Sequence, residues 1–504
     1  MNKPIGTVYL VGAGPGDPSL ITLRGVDCLA QADVVLYDYL VNPQVLRHAP
    51  ASAELVCLGR HGQGRIMTQQ AVNDRLVADA RGGQTVVRLK AGDPAIFARG
   101  AEEVQALTDA GIPFEIVPGI TAALAAGSYA GIPITHGRLA SAVALVTGQQ
   151  REGKGVDQLD YRSLAQFPGT LVFYMGVTTA PDWCRTLIDG GKSPDTPVAI
   201  VRRCSWYDQV TRRGTLADIP ELLASDRMRP PVIVIIGPVA ELADNLDWVA
   251  QRSLFGQQVL VTRPRDQADG LIARLTELGA GVLTQAAIEI SDPPDWQSVD
   301  AAIKDLSSYD WLVFSSANGV RRFFDRLASL GFDTRQLGGV RLAAIGPATT
   351  DALGQYHLNV DVQPEEYRAE ALAAALAPGA ANQRVLLARA SRGREVLAEQ
   401  LSAAGAQVDQ IIVYQSTDVA AADDDIAAAL RDGQIDFVTV TSSAIARSLV
   451  GLFGDALRKT RLITISPLTS ETLAEFGHQA AAEASEYTTD GVVDALLRAA
   501  ATNE

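Results

Sequence analysis

The chain has 504 residues, 47% of them hydrophobic, and a formal net charge of −15, a length that supports two to four cores at about 100–200 residues per domain. The acidic balance argues against nucleic acid as a partner, because phosphates are gathered by basic surfaces. The apolar run at residues 232–236 is far too short to cross a bilayer, so no membrane partner is expected.

In chain order, the first element is a buried strand in "VYLVGAGPGDPSL". Its neighbours Gly, Pro and Asp break any secretory signal. A dinucleotide fingerprint needs G-x-G-x-x-G between strand and helix. Gly12 and Gly14 fit, but Asp17 holds the third position. Pro15 and Pro18 lack the N–H donors a phosphate wants. The loop reads as a plain tight turn or as a cradle for a small ligand that is not a phosphate ester. Seven further apolar runs follow, "ADVVLYD", "TVVRLKAGDP", "PFEIVPG", "AVALVTG", "TLVFYMG", "PVAIVRR" and "PPVIVIIG". Continuous apolar strands imply burial on both faces, hence mostly parallel sheet with helices between, an α/β pattern. Asp93, in the loop 91–93, is placed either to accept from a ligand hydroxyl or to cap the helix that follows. Gly119 falls after a strand and Thr121 at a helix start. The four cysteines form no C-x-x-C pair and read as reduced thiols of a cytoplasmic protein. The five histidines lack ligand spacing, so no metal site is expected.

Near residues 251–256 the pattern restarts, which divides the chain into domains 1–250 and 257–504. The second half echoes itself: "VFSSA" (313–317) resembles "VTSSA" (440–444), and "LAAIGPATTDAL" (342–353) resembles "LITISPLTSETL" (462–473). Two similar α/β subdomains account for this, about 257–289 plus 416–504, and 290–415. Ser315, Ser316, Thr349 and Thr350 in one, and Ser442, Ser443 and Thr469 in the other, sit where strands hand over to helices. Such positions offer N–H groups and hydroxyls to carboxylates, or simply cap the helices.

Several first-half segments, "VYLVGAGPGDPSLITLRG", "VVRLKAGDPAIFARGAEE", "VPGITAA", "YAGIPITH" and "LVFYMG", resemble the tetrapyrrole methylases and, more closely, uroporphyrinogen-III C-methyltransferase. The resemblance implies a two-lobed α/β domain that takes S-adenosylmethionine, leaves S-adenosylhomocysteine, and forms a homodimer through this domain. It places cofactor contacts at Pro15, Ala91, Gly92, Asp93, Ile96, Thr121, Ala122, Met175 and Cys204, and a proton-accepting role on Asp38. Arg60 replaces the family's usual lysine acid, and an arginine stabilises charge but donates protons poorly. Arg65 replaces a family histidine, Ala91 a glycine, and Cys204 a glycine that meets the adenine. The octacarboxylate substrate calls for local positive charge, for which Arg60, Arg65, Arg88, Lys90, Arg99 and Arg138 are candidates.

In the second half, "VLVTRP", "FSSANGVRRFF", "AIGPAT", "VYQ", "VTVTSSA" and "YTTDGVV" resemble uroporphyrinogen-III synthase. That family closes linear hydroxymethylbilane into a macrocycle with one ring inverted. Tyr414 matches a family tyrosine that assists hydroxyl departure, with Tyr487 and Thr488 as weaker candidates. Together the resemblances imply a bifunctional enzyme of small tetrapyrrole substrates, producing precorrin-2 for sirohaem or cobalamin. Two other readings stay open: a nucleotide-dependent oxidoreductase, and a methylase fused to a non-catalytic tetrapyrrole-binding module.

Overall fold

The structure is a computed structural model and describes residues 4–59, 66–149, 159–224, 228–393 and 395–502. The chain forms two compact units, Met1–Gln257 with Leu278–Gly281, and Gln258–Glu277 with Val282–Glu504.

The first unit holds two five-stranded sheets. One is built from β1 (Val8–Gly12), β2 (Val34–Tyr37), β3 (Glu54–Cys57), β4 (Val86–Lys90) and β5 (Phe114–Val117), in the order β3-β2-β4-β1-β5. All its pairings are parallel. Helices cover both faces of its central strands, which explains why β1 and β4 read as unbroken buried runs. The second sheet takes β6 (Val143–Thr147), β7 (Thr170–Tyr174), β8 (Pro197–Arg202), β9 (Val210–Thr215) and β10 (Val232–Ile236), in the order β6-β7-β10-β8-β9. This sheet corrects the expectation of mostly parallel pairing. Only β6 and β7 run parallel, while β10 lies antiparallel between β7 and β8, and β9 antiparallel to β8. Burial on both faces makes a strand apolar whatever its direction, so the apolar runs carried no information on polarity. The alanine-rich helix Ala122–Tyr129 packs on this sheet through Ala123, Ala125 and Ala126.

The second unit also holds two sheets. Strands β11 (Gln258–Val261), β12 (Gly281–Thr284), β13 (Ile288–Ser291), β14 (Trp311–Phe314), β15 (Arg341–Ala344), β16 (Arg384–Ala390), β17 (Gln407–Asp418), β18 (Phe437–Val440), β19 (Arg461–Thr464) and β20 (Ala480–Glu483) divide as β12-β11-β18-β19-β20 and β13-β17-β16-β14-β15. The sequence echo falls on the same local structure in each sheet. Strand β14, helix Ala317–Ser329, parallel neighbour β15 and helix Pro347–Gly354 correspond to β18, helix Ser443–Phe453, parallel neighbour β19 and helix Pro467–Glu475. Ser316 and Ser442 are the matching N-caps, accepting from the N–H groups of Gly319 and Ile445.

Candidate functional site

Three loops of the first unit meet backbone on backbone. Gly14 and Gly92 exchange N–H···O hydrogen bonds of 3.2 and 2.8 Å. A Cβ on Gly12 would stand 2.6 Å from the Gly119 Cα, and one on Gly119 only 2.2 Å from the Gly92 oxygen. Glycine is therefore required here for close approach between loops. Asp93 completes the junction: one carboxylate oxygen accepts from Ala95 N–H at 2.7 Å and the other from Gly119 N–H at 2.9 Å. The helix-capping alternative drawn for Asp93 from the sequence is thereby corrected. The next helix starts at Gly100 with Arg99 as its N-cap, too far along the chain for Asp93 to cap it, and each Asp93 oxygen already serves a backbone donor.

The glycine-rich loop is also clamped to the second lobe. Trp206 Nε1 donates to Pro15 O at 3.1 Å, Asp17 N–H donates to Ser205 Oγ at 3.0 Å, and Tyr129 Oη donates to Asp17 Oδ2 at 2.9 Å. Asp17 thus anchors one lobe on the other. Tyr174, at the end of β7, shares a 2.7 Å hydrogen bond with Thr121 Oγ1 and accepts from Ala123 N–H at 2.9 Å. Its ring meets Phe97 at 5.0 Å. Phe97, Arg99, Met175, Arg203 and Ser205 all have positive φ. Such strain concentrates where structure is dictated by function. Phe97 and Met175 are nevertheless exposed, apolar side chains held out from strained turns.

Asp38 follows β2 at the rim of these loops, its side chain about one-third exposed at 32%. Arg88 Nη2 donates to Asp38 Oδ1 at 2.6 Å and Ala91 N–H to Oδ2 at 3.3 Å. Arg88 Nε also donates to Glu103 Oε1 at 3.0 Å, and Lys90 Nζ reaches both Glu103 oxygens at 2.8 and 2.7 Å. Arg88, Lys90 and Glu103 are all buried. Burial opposes the charge on Arg88, but Asp38 and Glu103 more than offset it and raise its pKa. Burial and the adjacent Arg88 hold Lys90 below its ordinary value despite Glu103. The network is two cations and two carboxylates, and it opens to solvent at Asp38.

These placements revise several expectations. Arg88 and Lys90 are spent inside the fold and are not available to substrate carboxylates. Arg99 pairs with Glu102 at 2.9 Å, and Arg138 is exposed on its loop. Arg60 and Arg65 lie outside the described residues. Cys204 is buried in the apolar cluster with Ala123, Tyr129 and Val201, and burial raises its thiol pKa. Pro15, Ala91, Ile96 and Ala122 are half-buried along the loops, whereas Gly92 and Thr121 are buried. Tyr174 and Trp206 are the residues sequence reasoning passed over. Their role depends on contacts with segments far away in the chain.

In the second unit, Tyr414 on β17 is 7% exposed. Its hydroxyl lies 3.0 Å from Ser316 Oγ. Burial raises its pKa, while hydrogen bonds to Ser316 and Asn318 counter that. Asn318 joins this group without having been singled out in "FSSANGV". Ser315, Ser442 and Ser443 are partly exposed, and Ser443 Oγ donates to Leu468 O at 3.4 Å. Thr349 and Thr469 are both buried, each as the third residue of its helix, and Thr469 Oγ1 is 3.1 Å from Ser466 Oγ. Thr350 bonds Gln363. Thr488 caps the helix Thr489–Ala501 through Gly491 N–H, beside the exposed Tyr487. Among the described residues no group of three His, Cys, Asp or Glu is placed to hold a metal ion, and no helix is long and apolar enough to cross a membrane.

These sites belong to two classes of tetrapyrrole enzyme carried in tandem. The family model for Tetrapyrrole (Corrin/Porphyrin) Methylases matches residues 7–220, and that for Uroporphyrinogen-III synthase HemD matches residues 269–494. Over 503 residues the chain is 32% identical to the porphyrin biosynthesis protein HemD of Ruminiclostridium josui, covering 98% of each. It is 36% identical over 365 residues to the uroporphyrinogen-III C-methyltransferase of Bacillus subtilis, covering 71% of this chain and 74% of that one. A crystal structure of uroporphyrin-III C-methyl transferase from Thermus thermophilus complexed with S-adenosylhomocysteine is 40% identical, with a TM-score of 0.41, covering 47% of this chain and 99% of that one. The chain belongs to the family in which a tetrapyrrole methylase is fused to a uroporphyrinogen-III synthase.

Proposed function

We propose that the second unit cyclises hydroxymethylbilane to uroporphyrinogen III with inversion of one ring, and that the first unit methylates this product twice to give precorrin-2. The observation that carries the reading is the presence of both families on one chain, where the product of one is the substrate of the other. The loops of the first unit suit a sulfonium nucleoside better than a pyrophosphate. Pro15 offers no N–H, Asp17 is committed between the lobes, and Arg88 and Lys90 are neutralised by carboxylates. That donor set also argues against a nucleotide-dependent oxidoreductase.

Pro15, Ala91, Gly92, Ile96, Ala122 and Met175 would hold S-adenosylmethionine, with Asp93 and Thr121 bracing the loops. When bound, this cofactor supplies an electrophilic methyl group. The protein's contribution is to fix the pyrrole carbon in line and to accept the proton that carbon must lose. Asp38 is the proposed acceptor, aimed by Arg88 and the Ala91 N–H. In the second unit, helix N-termini at Ser316 and Ser442 would gather carboxylates, and Tyr414 with Asn318 would assist departure of the substrate hydroxyl. Little further chemistry is needed once the chain is folded and water is excluded.

Incubation with uroporphyrinogen III and S-adenosylmethionine tests the methylase half. The expected product has gained two methyl groups. Recovery of unmodified uroporphyrinogen III from folded protein would refute this half of the reading.

A further inference from the structure

The tip of the glycine-rich loop is two residues long. Gly14 is fixed on one side by its hydrogen bonds with Gly92, and Asp17 on the other by Tyr129 and Ser205. Pro15 and Gly16 lie between, and side chains from elsewhere in the first unit take both of their carbonyls. Asn42 Nδ2 donates to Gly16 O at 2.7 Å, and Trp206 Nε1 donates to Pro15 O at 3.1 Å. The indole also packs on the loop backbone: a Cβ on Gly16 would stand 2.3 Å from its Cδ1 and 2.4 Å from its Nε1. The Arg203 guanidinium lies 4.1 Å from the Trp206 ring centroid, and Arg203 Nε donates to Asp208 Oδ1 at 2.7 Å. The turn that carries Trp206, between β8 and β9, holds Arg203 and Ser205 at φ of 48° and 62°. Ser205 N–H donates to Gln209 Oε1 at 2.9 Å, and Gln209 Nε2 to Tyr129 O at 3.1 Å. Left-handed backbone at non-glycine residues persists only where its surroundings over-determine it.

We infer that Trp206 is a positioning residue of the cofactor site: it sets where Pro15 stands, and through Pro15 the affinity for S-adenosylmethionine. The inference rests on the reading of Pro15 as a cofactor contact. The Pro15 ring locks its own φ, so the ring moves only with the loop backbone, and Trp206 fixes that backbone by a hydrogen bond and by contact at once. Holding a loop in its bound conformation raises affinity by removing the cost of ordering it. Trp206 acts through Pro15 and not on the reacting atoms, so its effect falls on binding rather than on methyl transfer.

The test measures S-adenosylhomocysteine binding to the full chain by calorimetry, with methylation kinetics and melting temperature alongside. Trp206→Phe keeps a ring against Gly16 and drops the Nε1 donor. It should weaken binding roughly 3- to 10-fold, the scale of one hydrogen bond, and raise the KM for S-adenosylmethionine by the same factor. The kcat at saturating cofactor and the melting temperature should stay nearly unaltered. Gly16→Ala drives a Cβ into the indole with no penalty from the backbone, since Gly16 is not among the glycines of positive φ, and it should weaken binding at least as much. Trp206→Ala removes that obstacle, so adding Gly16→Ala to Trp206→Ala should cost little more than Trp206→Ala alone. If Trp206→Ala fails to fold, Trp206→Phe decides alone. Losses from Gly16→Ala and Trp206→Ala that multiply as independent effects, or binding by Trp206→Phe as tight as that of the unaltered chain, overturn the positioning role. A fall in melting temperature and kcat with an unchanged KM would make Trp206 structural only and overturn it as well. Failure of the unaltered chain to bind S-adenosylhomocysteine would instead sink the cofactor reading on which the inference rests.

Discussion

Asp38 is oriented from beneath by Arg88, and Arg88 is held in turn by Glu103, so the rim carboxylate is a product of the buried charges behind it. If Asp38 accepts a ring proton, Asp38→Asn should slow methylation by about 100-fold or more, the usual scale of a lost general base. Affinity for S-adenosylhomocysteine, read by calorimetry, should stay nearly constant. Equal losses in both would place Asp38 in the cofactor pocket. Removing Glu103 strands the buried Lys90 and leaves Arg88 with Asp38 alone, and Glu103→Ala should destabilise the protein by about 3–5 kcal/mol in denaturant titration. Tyr414→Phe deletes a hydroxyl that sits among Ser316 and Asn318 but leaves the surrounding contacts. It should keep at least about a tenth of synthase activity, and a complete loss with folding intact would reveal a dedicated catalytic group. The thiols give an independent check on burial. Cys57 is exposed while Cys28, Cys184 and Cys204 are buried, and burial pushes Cys184 up to about 12. A thiol reagent should modify one cysteine quickly in native protein and all four after unfolding.

The glycine loops act as one element assembled from three places in the chain. Gly119→Ala would force a Cβ into the Gly92 carbonyl, so it should cost about 1–3 kcal/mol of stability and weaken cofactor binding along with it. Unchanged thermal stability would show that the junction is looser than its geometry indicates. All eight apolar runs in the first half are strands: six are central and carry burial on both faces in their composition, and two, β5 and β6, lie at sheet edges yet are still mostly apolar. The two strands that reading passes over, β3 and β9, are also edge strands with exposed or half-exposed residues, and their sequences, ELVC and VTRRGT, offer only a short apolar run or none. The serines at the strand-to-helix handovers were legible because N-caps favour such residues locally. The brace from Asp93 to Gly119 was not legible because the two lie 26 residues apart, and nothing in a local pattern marks a carboxylate that braces another loop. Arg88 and Lys90 looked like substrate-facing charge for the same reason: Glu103, which neutralises them, comes from the next helix.

At the scale of the whole molecule, two units of similar size carry the methylase and synthase families in tandem, and the family match spans nearly the full length of both chains compared. The motifs were sufficient to reveal this tandem arrangement, since each family's segments occur in order and in separate halves. The central claim is that one chain makes a tetrapyrrole and then methylates it. The most direct measurement supplies hydroxymethylbilane alone to the purified full chain, with and without S-adenosylmethionine, and identifies the products by chromatography and mass. Without the cofactor, uroporphyrinogen III should accumulate in excess over the I isomer formed spontaneously; with it, the dimethylated product should replace the III isomer. Formation of the I isomer alone, unmethylated in both cases, would contradict the claim.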